Sequence, residues 1–421
     1  MSFSFSKFAQ EVKAESAFEV LALAKTLIAD GKDVIELEIG DSPHAPPRVA
    51  IDAGIAAIEQ GHSHYGPSAG IHEFRAAASD YVNREFGLTT SVENIVAGPG
   101  AKTFQTLFAE AVLNPGDGVL VFSPYFPTYP PSIARRGARM VLSSLKQSRA
   151  FRPSVDDIDH FLTHDAAPKA IILNSPHNPT GGVALLEDLV EIADLIRGKN
   201  IAVLSDEPYD QMVWSDTHYS LLAQPNMLEQ CVGAYTFSKS FSMSGWRLGF
   251  SVSSTPMASM LSKLTNTLLS CVPPFVQLAG AAALSEALTE RDTRMHEFRD
   301  KVMQLVTHLN QVPGISCLQP GGSFYAFPNV AEVCNENRIS SHGLAMYFLE
   351  GADNHKGVAC LGGECFGEAG RGFLRMSCSE PVERMIEAVE FIAASIRNPR
   401  NVAEYLVKRP QYRLDQPYKI A

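Results

Sequence analysis

The chain predicts an α/β fold, in which a large domain with a mainly parallel sheet and helices on both faces carries a smaller α+β domain. Three observations point there. Between residues 95 and 255, short β-branched and aromatic runs alternate with longer amphipathic ones, as repeated βα units require. Several of the short runs end in polar or glycine-rich loops, the place where open α/β sheets bind ligands. From about residue 290 the pattern changes to a long helical run followed by glycine-rich strands alternating with helices.

Taken in order, an N-terminal helix is expected over residues 16–29 and a strand over 34–39, both packing with the second domain. A strand at 95–97 leads into a helix at 103–112, and strands follow at 118–122, 170–174, 202–205, 234–237 and 248–252. The second domain should begin with a helix at 297–309 and continue with strands at 322–327 and 372–377. These elements divide the 421 residues into a large domain, 45–290, and a small one made of 1–44 and 291–421. The stretch from Asn398 is short on apolar residues and carries Arg400, Lys408, Arg409, Arg413 and Lys419, which reads as a solvated tail in preference to a subunit clasp.

A net charge of −11 with no long basic run argues against nucleic acid as the main partner. Cys231, Cys271, Cys317, Cys334, Cys360, Cys365 and Cys378 are scattered, odd in number and free of Cys-x-x-Cys or zinc spacing, so they read as reduced thiols with no metal role. The opening residues lack an apolar signal core and no later run is long enough to cross a membrane, so a cytoplasmic protein is expected.

The chemistry centres on Lys239, in Thr-Phe-Ser-Lys-Ser-Phe-Ser-Met-Ser-Gly-Trp-Arg-Leu-Gly-Phe from Thr236 to Phe250. A lysine adds to a carbonyl only as the neutral amine, and neighbouring positive charge favours that form. Arg247, with the hydroxyls of Thr236 and Ser238, suits a phosphate, because guanidinium binds it through two parallel hydrogen bonds. A covalently held, phosphorylated aldehyde needs this combination, which suggests pyridoxal phosphate.

Other residues supply what that cofactor needs. Asp206 ends a candidate buried strand, where an isolated carboxylate calls for a positive partner such as a pyridinium nitrogen. Tyr209 can offer its phenol to the ring oxygen, as can the amide of Asn178 in Asn-Ser-Pro-His-Asn-Pro-Thr-Gly-Gly. Gly98-Pro99-Gly100-Ala101-Lys102 opens a helix, whose first amides can bind phosphate. Tyr125 and Phe126 put aromatics at another strand end, where one can stack on a flat ring. Arg375 lies among apolar neighbours on a candidate strand, placed either for a substrate carboxylate in the cleft or for a buried salt bridge.

From about Phe18 to about Ala394 these motifs resemble the pyridoxal-phosphate aminotransferases of fold type I, in the class I/II group that includes aspartate aminotransferases. The resemblance implies that Lys239 forms the Schiff base with the cofactor, that Asp206 pairs with the pyridine nitrogen, and that Asn178 and Tyr209 hold the ring oxygen. It also implies phosphate binding by Arg247, Ser238 and the amides of Ala101 and Lys102, ring stacking by Phe126, and α-carboxylate binding by Arg375. Gly40 matches a glycine that closes over the substrate. Tyr65, in His-Tyr-Gly-Pro-Ser-Ala-Gly-Ile, matches a tyrosine that reaches the neighbouring subunit's phosphate, so a homodimer is implied.

Thr236 departs from the usual Gly or Ser but keeps a hydroxyl, Gly362-Gly363 replaces a frequent Pro-Gly, and Gly-Asp-Ser-Pro-His follows Ile39 where Gly-Glu-Pro-Asp-Phe is frequent. The implied activity is transfer of an amino group between an L-amino acid and a 2-oxo acid. A lyase or decarboxylase on the same scaffold, and a cofactor-binding regulatory module, are the rivals. Lys102 stands where dicarboxylate-specific relatives have a lysine for the distal carboxylate, which points to glutamate and 2-oxoglutarate as one pair, with aspartate, an aromatic or an unusual amino acid as candidates for the other. It can equally serve through its backbone amide alone.

Overall fold

The computed structural model describes residues 3–12, 15–214 and 217–419. After β1 (Asp33–Glu36) come β2 (Ile95–Gly98), β3 (Gly118–Ser123), β4 (Arg139–Ser144), β5 (Pro168–Asn174), β6 (Ala202–Asp206), β7 (Cys231–Thr236) and β8 (Gly249–Val252). Strands β2 to β8 form one sheet in the order β2-β8-β7-β6-β5-β3-β4. All neighbours from β7 to β4 are parallel, and only β8 runs against both of its partners.

Alternation along these strands explains the layers. Val119 and Val121 of β3, Ala170 and Ile172 of β5 and Leu204 of β6 enter one core, together with Phe104, Leu107 and Phe108 of the helix Ala101–Val112. Their neighbours Leu120, Phe122, Ile171, Leu173 and Val203 enter a second core on the opposite face, against the helices His72–Phe86, Leu186–Ile196 and Pro274–Glu286. Both faces are therefore covered, which is why the strands read as continuous apolar runs and not as alternating ones. Each fully buried aliphatic chain contributes roughly 1.5–3 kcal/mol, so the parallel strands are anchored and their ends can be held in fixed register.

A third core holds the remainder. It gathers Val20 and Ala24 of the helix Ser16–Ala29, residues of β1, and side chains of the helices Leu288–Leu309 and Val382–Ile396. Here β1 pairs in parallel with β10 (Lys356–Ala359), while β9 (Tyr325–Ala326) and β11 (Leu361–Gly362) flank β12 (Leu374–Ser377), both antiparallel to it. The expected strand at 322–327 is cut to Tyr325–Ala326, because Ser323 takes a left-handed φ of 60° and the Gly322 and Ser323 amides bond to Gly181 and Met212. The helix expected at 297–309 starts nine residues earlier, at Leu288, in a charged stretch that hides its periodicity.

The reading of the last segment as a solvated tail is corrected. Residues Pro399–Lys408 form a helix whose Val402, Tyr405 and Leu406 are buried in the third core. Three apolar residues suffice there because their spacing puts them on one helical stripe. Glu350 fastens this helix, accepting from the Tyr405 hydroxyl at 2.7 Å and from Arg409 at 2.9 and 3.0 Å. All seven cysteines are free. Among the described residues no helix is long and apolar enough to cross a membrane.

Candidate active site

Parallel register brings the chemistry together. Asn174 of β5 lies beside Asp206 of β6, which lies beside Ala234 of β7, so three adjacent strands end at one level. Above them opens a cleft of about 500 Å³, a size suited to a small ligand. Every site residue expected from the sequence lines it except Gly100, Tyr65 and, of the two candidate aromatics, Tyr125.

Asp206 forms the floor. Its Oδ2 accepts from the Tyr129 hydroxyl at 2.6 Å and the Gln105 amide at 3.2 Å, and its backbone oxygen accepts from Asn174 Nδ2 at 2.8 Å. Oδ1 is buried without a partner. Burial pushes the carboxyl up to about 6, against the pull of the Tyr129 and Gln105 hydrogen bonds, and the Glu207 charge adds to the rise. A cationic ring nitrogen at Oδ1 would supply the missing partner and charge.

The lysine and two tyrosines stand over this floor. Lys239 donates from Nζ to the Gly40 carbonyl at 2.6 Å, and its ammonium lies 5.9 Å from the Tyr209 ring centroid. The Tyr209 and Tyr325 hydroxyls are 3.2 Å apart. Burial first, then the neighbouring Tyr325, holds the Tyr209 phenol well above its usual range. Gly40 is needed by packing alone: a Cβ there would lie 1.9 Å from the Tyr325 hydroxyl.

At one end of the cleft, the helix Ala101–Val112 starts from Gly100 with no side-chain cap, leaving first-turn amides to be satisfied. Gly100 has φ +85°, and a Cβ on it would come 2.7 Å from the Arg247 guanidinium. That guanidinium donates to the carbonyls of Ser244 at 2.8 Å and Pro99 at 3.0 Å, while Thr236 donates to Ser238 Oγ at 2.9 Å. Uncapped amides, a guanidinium and paired hydroxyls make an anion cradle. Of the two candidate aromatics, Phe126 faces the cleft, and Tyr125 lines a separate cavity behind it.

Arg375 closes the other side. It is buried, donates to Asn178 Oδ1 at 3.1 Å and to the Glu38 carbonyl, and lies 4.4 Å from the Tyr325 ring centroid and 4.9 Å from that of Phe366. No carboxylate side chain bonds to it among the described residues, and its Nε is unpartnered. The buried salt bridge that was its alternative is therefore absent there.

Residues 37–41 leave the third core at Leu37 and line the cleft from Ile39 to Asp41, as a ribbon whose carbonyls are all taken. Leu37 accepts from the Ser377 amide, Glu38 from Arg375, Ile39 from Ser377 Oγ, Gly40 from Lys239 and Asp41 from Ser379 Oγ. Glu38 itself is fully buried with both carboxylate oxygens unpartnered, and burial pushes it up to about 7.

Tyr65 lies outside this cleft and is 90 % exposed. Sequence reasoning missed Gln105, Tyr129, Tyr325, Glu38 and Glu15. Gln105 could have been found, since it lies one helical turn after Ala101 on the same face.

A doubly covered parallel sheet, an anion cradle at a helix start and a lysine that lines the same cleft as a buried, half-satisfied aspartate define a fold type I pyridoxal-phosphate enzyme, and the orphaned Asp206 Oδ1 shows that the residues present fit that cofactor. The family model for aminotransferases of class I and II matches residues 32–392, and the chain belongs to that family. An aspartate aminotransferase of Pyrococcus horikoshii is 32 % identical over 372 residues, covering 88 % of this chain and 92 % of its own. A probable aspartate/prephenate aminotransferase of Aquifex aeolicus is 32 % identical over 91 % of this chain and 96 % of its own. Among solved structures, the aspartate aminotransferase of Thermus thermophilus with maleate superposes with a TM-score of 0.87 at 26 % identity, covering 94 % of this chain and all of that one.

Proposed function

We propose that this aminotransferase exchanges an amino group between an L-amino acid and a 2-oxo acid in two half-reactions, with glutamate and 2-oxoglutarate as one pair and aspartate a candidate for the other. One observation carries this reading: Lys239 and Arg375 rest on carbonyls of the same ribbon, Gly40 and Glu38, so an amine and a carboxylate-binding fork face one space. An α-amino acid presents the matching pair of groups on a single carbon. The aspartate aminotransferases among its relatives, and the Thermus enzyme's complex with maleate, support acidic partners.

Arg375 binds the α-carboxylate through its planar fork, with the Tyr325 and Phe366 rings packed close to the guanidinium. Bound pyridoxal phosphate supplies the aldehyde carbon that takes up the amino group and a ring that accepts electron density from the substrate Cα. Lys239 would anchor the cofactor, and its freed Nζ would take the substrate Cα proton as general base and, as general acid, pass it to the carbon that receives the amino group. Asp206 would supply the carboxylate charge that pairs with the ring nitrogen. Tyr209 and Asn178, whose Oδ1 is already taken by Arg375, offer a hydroxyl and an NH2 to the ring oxygen. Arg247, Thr236, Ser238 and the amides of Ala101 and Lys102, with Gly100 permitting close approach, bind the phosphate, and Phe126 covers the ring face.

Tyr65 completes the neighbouring subunit's phosphate site in a homodimer, a reading supported by a large aromatic left exposed outside its own cleft. The free, scattered thiols favour the cytoplasm.

Mixing the loaded enzyme with single amino acids and following the cofactor absorbance tests the function and the substrate together. Conversion by glutamate, reversed by 2-oxoglutarate, with parallel-line steady-state kinetics is expected. Release of carbon dioxide or an eliminated fragment, with no 2-oxo acid formed from any amino acid, would overturn the reading.

A further inference from the structure

Among the described residues, four cations line the cleft: Lys102, Lys239, Arg247 and Arg375. Three of them rest on neutral acceptors, Lys239 on Gly40, Arg247 on Pro99 and Ser244, and Arg375 on Glu38 and Asn178. Lys102 differs. Its ammonium is ion-paired with the carboxylate of Glu15, which also lines the cleft, and it lies 5.3 Å from the Phe126 ring centroid.

The two partners come from different cores. Lys102 is the second residue of the helix Ala101–Val112, while Glu15 precedes the helix Ser16–Ala29, whose Val20 and Ala24 sit in the third core. Glu15 makes no side-chain capping bond to its own helix, so its carboxylate is committed to Lys102 and not to local structure. The side chain of Glu15 is 18 % exposed and that of Lys102 46 %, so the pair sits at the mouth, where either partner can reach water.

We propose that Glu15 is a specificity-determining residue that competes with the substrate's side chain for Lys102. The inference rests on the aminotransferase reading with acidic partners. A neutral side chain enters beside an intact ion pair, whereas a distal carboxylate must displace Glu15 and send it to solvent, in a cleft whose lining also carries Asp41. Glu15 thus lowers affinity for dicarboxylates without barring them, and lets one cleft take acidic and neutral partners in turn. A half-exposed ion pair is weak enough to exchange in this way.

Titration of the cofactor-loaded enzyme with maleate, an unreactive dicarboxylate, tests the proposal by calorimetry. Glu15→Gln is expected to bind maleate roughly two- to fivefold more tightly, the size of effect such a pair can exert. In a Lys102→Met background the same change should do nothing. The ratio of kcat/KM for aspartate over that for methionine should rise in Glu15→Gln by the same factor. Unchanged or weaker maleate binding overturns the proposal, and so does a gain that persists without Lys102. A lowered Tm with unaltered maleate affinity would mark Glu15 as a structural countercharge and overturn it too. Should the wild-type enzyme convert no acidic amino acid, the glutamate reading fails, yet the maleate titration needs no turnover and still decides on Glu15.

Discussion

The Tyr129 hydroxyl donates to Oδ2 of Asp206 over 2.6 Å, and the Gln105 amide takes the same oxygen, so both protein donors crowd one side of the carboxylate and leave Oδ1 bare. A buried carboxylate arranged this way is held ready for a cation.

Replacing it should separate stability from activity. In the cofactor-free chain the raised pKa of Asp206 makes ionisation unfavourable, so its contribution to stability is present below the unfolded value near 4 and lost as pH climbs through about 6. Asp206→Asn, neutral throughout, should therefore melt higher than wild type at pH 8 and nearly alike at pH 4. Its kcat should fall about 10²–10³-fold, as when a preorganised electrostatic group is removed. Melting curves at the two pH values and single-turnover rates with glutamate check both signs.

For Lys239→Ala, loss of the proton carrier should lower the half-reaction rate by about 10³-fold. Borohydride treatment followed by intact-mass measurement should find no cofactor fixed to the chain. A variant that turned over at the wild-type rate would remove Lys239 from the chemistry.

Arg375→Lys keeps the charge but loses the fork and the guanidinium contacts to the Tyr325 and Phe366 rings. Its kcat/KM is expected to fall roughly 10²-fold, mostly through KM if the group binds the α-carboxylate in ground and transition states alike. Equal losses in kcat at saturating substrate would place its role elsewhere.

Glu38 offers a second pH test, away from the cofactor. Burial first, and the nearby Glu36 charge in the same direction, raise it to about 7, opposed by the Lys25 and Arg375 charges. Its stabilising contribution is complete below the unfolded carboxylate range and lost as pH rises through about 7. Glu38→Gln should thus gain up to about 3 kcal/mol over wild type at pH 8.5 and almost nothing at pH 4.5, read from urea unfolding.

The parallel sheet was legible because strands buried on both faces must be continuously apolar, and Lys239, Asp206, Asn178 and Arg375 were legible because each stands at the end of such a strand or beside glycine-rich turns. Tyr129 and Gln105 were not, since their role is a shared contact with Asp206 across the fold, which periodicity cannot report. The pairing of Glu15 with Lys102 spans 87 positions and lay equally out of reach. The last helix escaped because a stripe of Val402, Tyr405 and Leu406 is hidden among charges when residues are counted and not placed.

The ribbon at 37–41 also sets an order of events during synthesis. Its carbonyls are met by Lys239, 199 positions later, and by Arg375, 337 positions later. Contacts of such separation form only after the intervening chain exists, and they are closed late in folding. A nascent chain that has released only the large sheet still lacks the arginine proposed to bind the substrate carboxylate. The catalytic cleft is completed from its two ends at once, so a chain stopped before residue 375 is left with a floor and no wall.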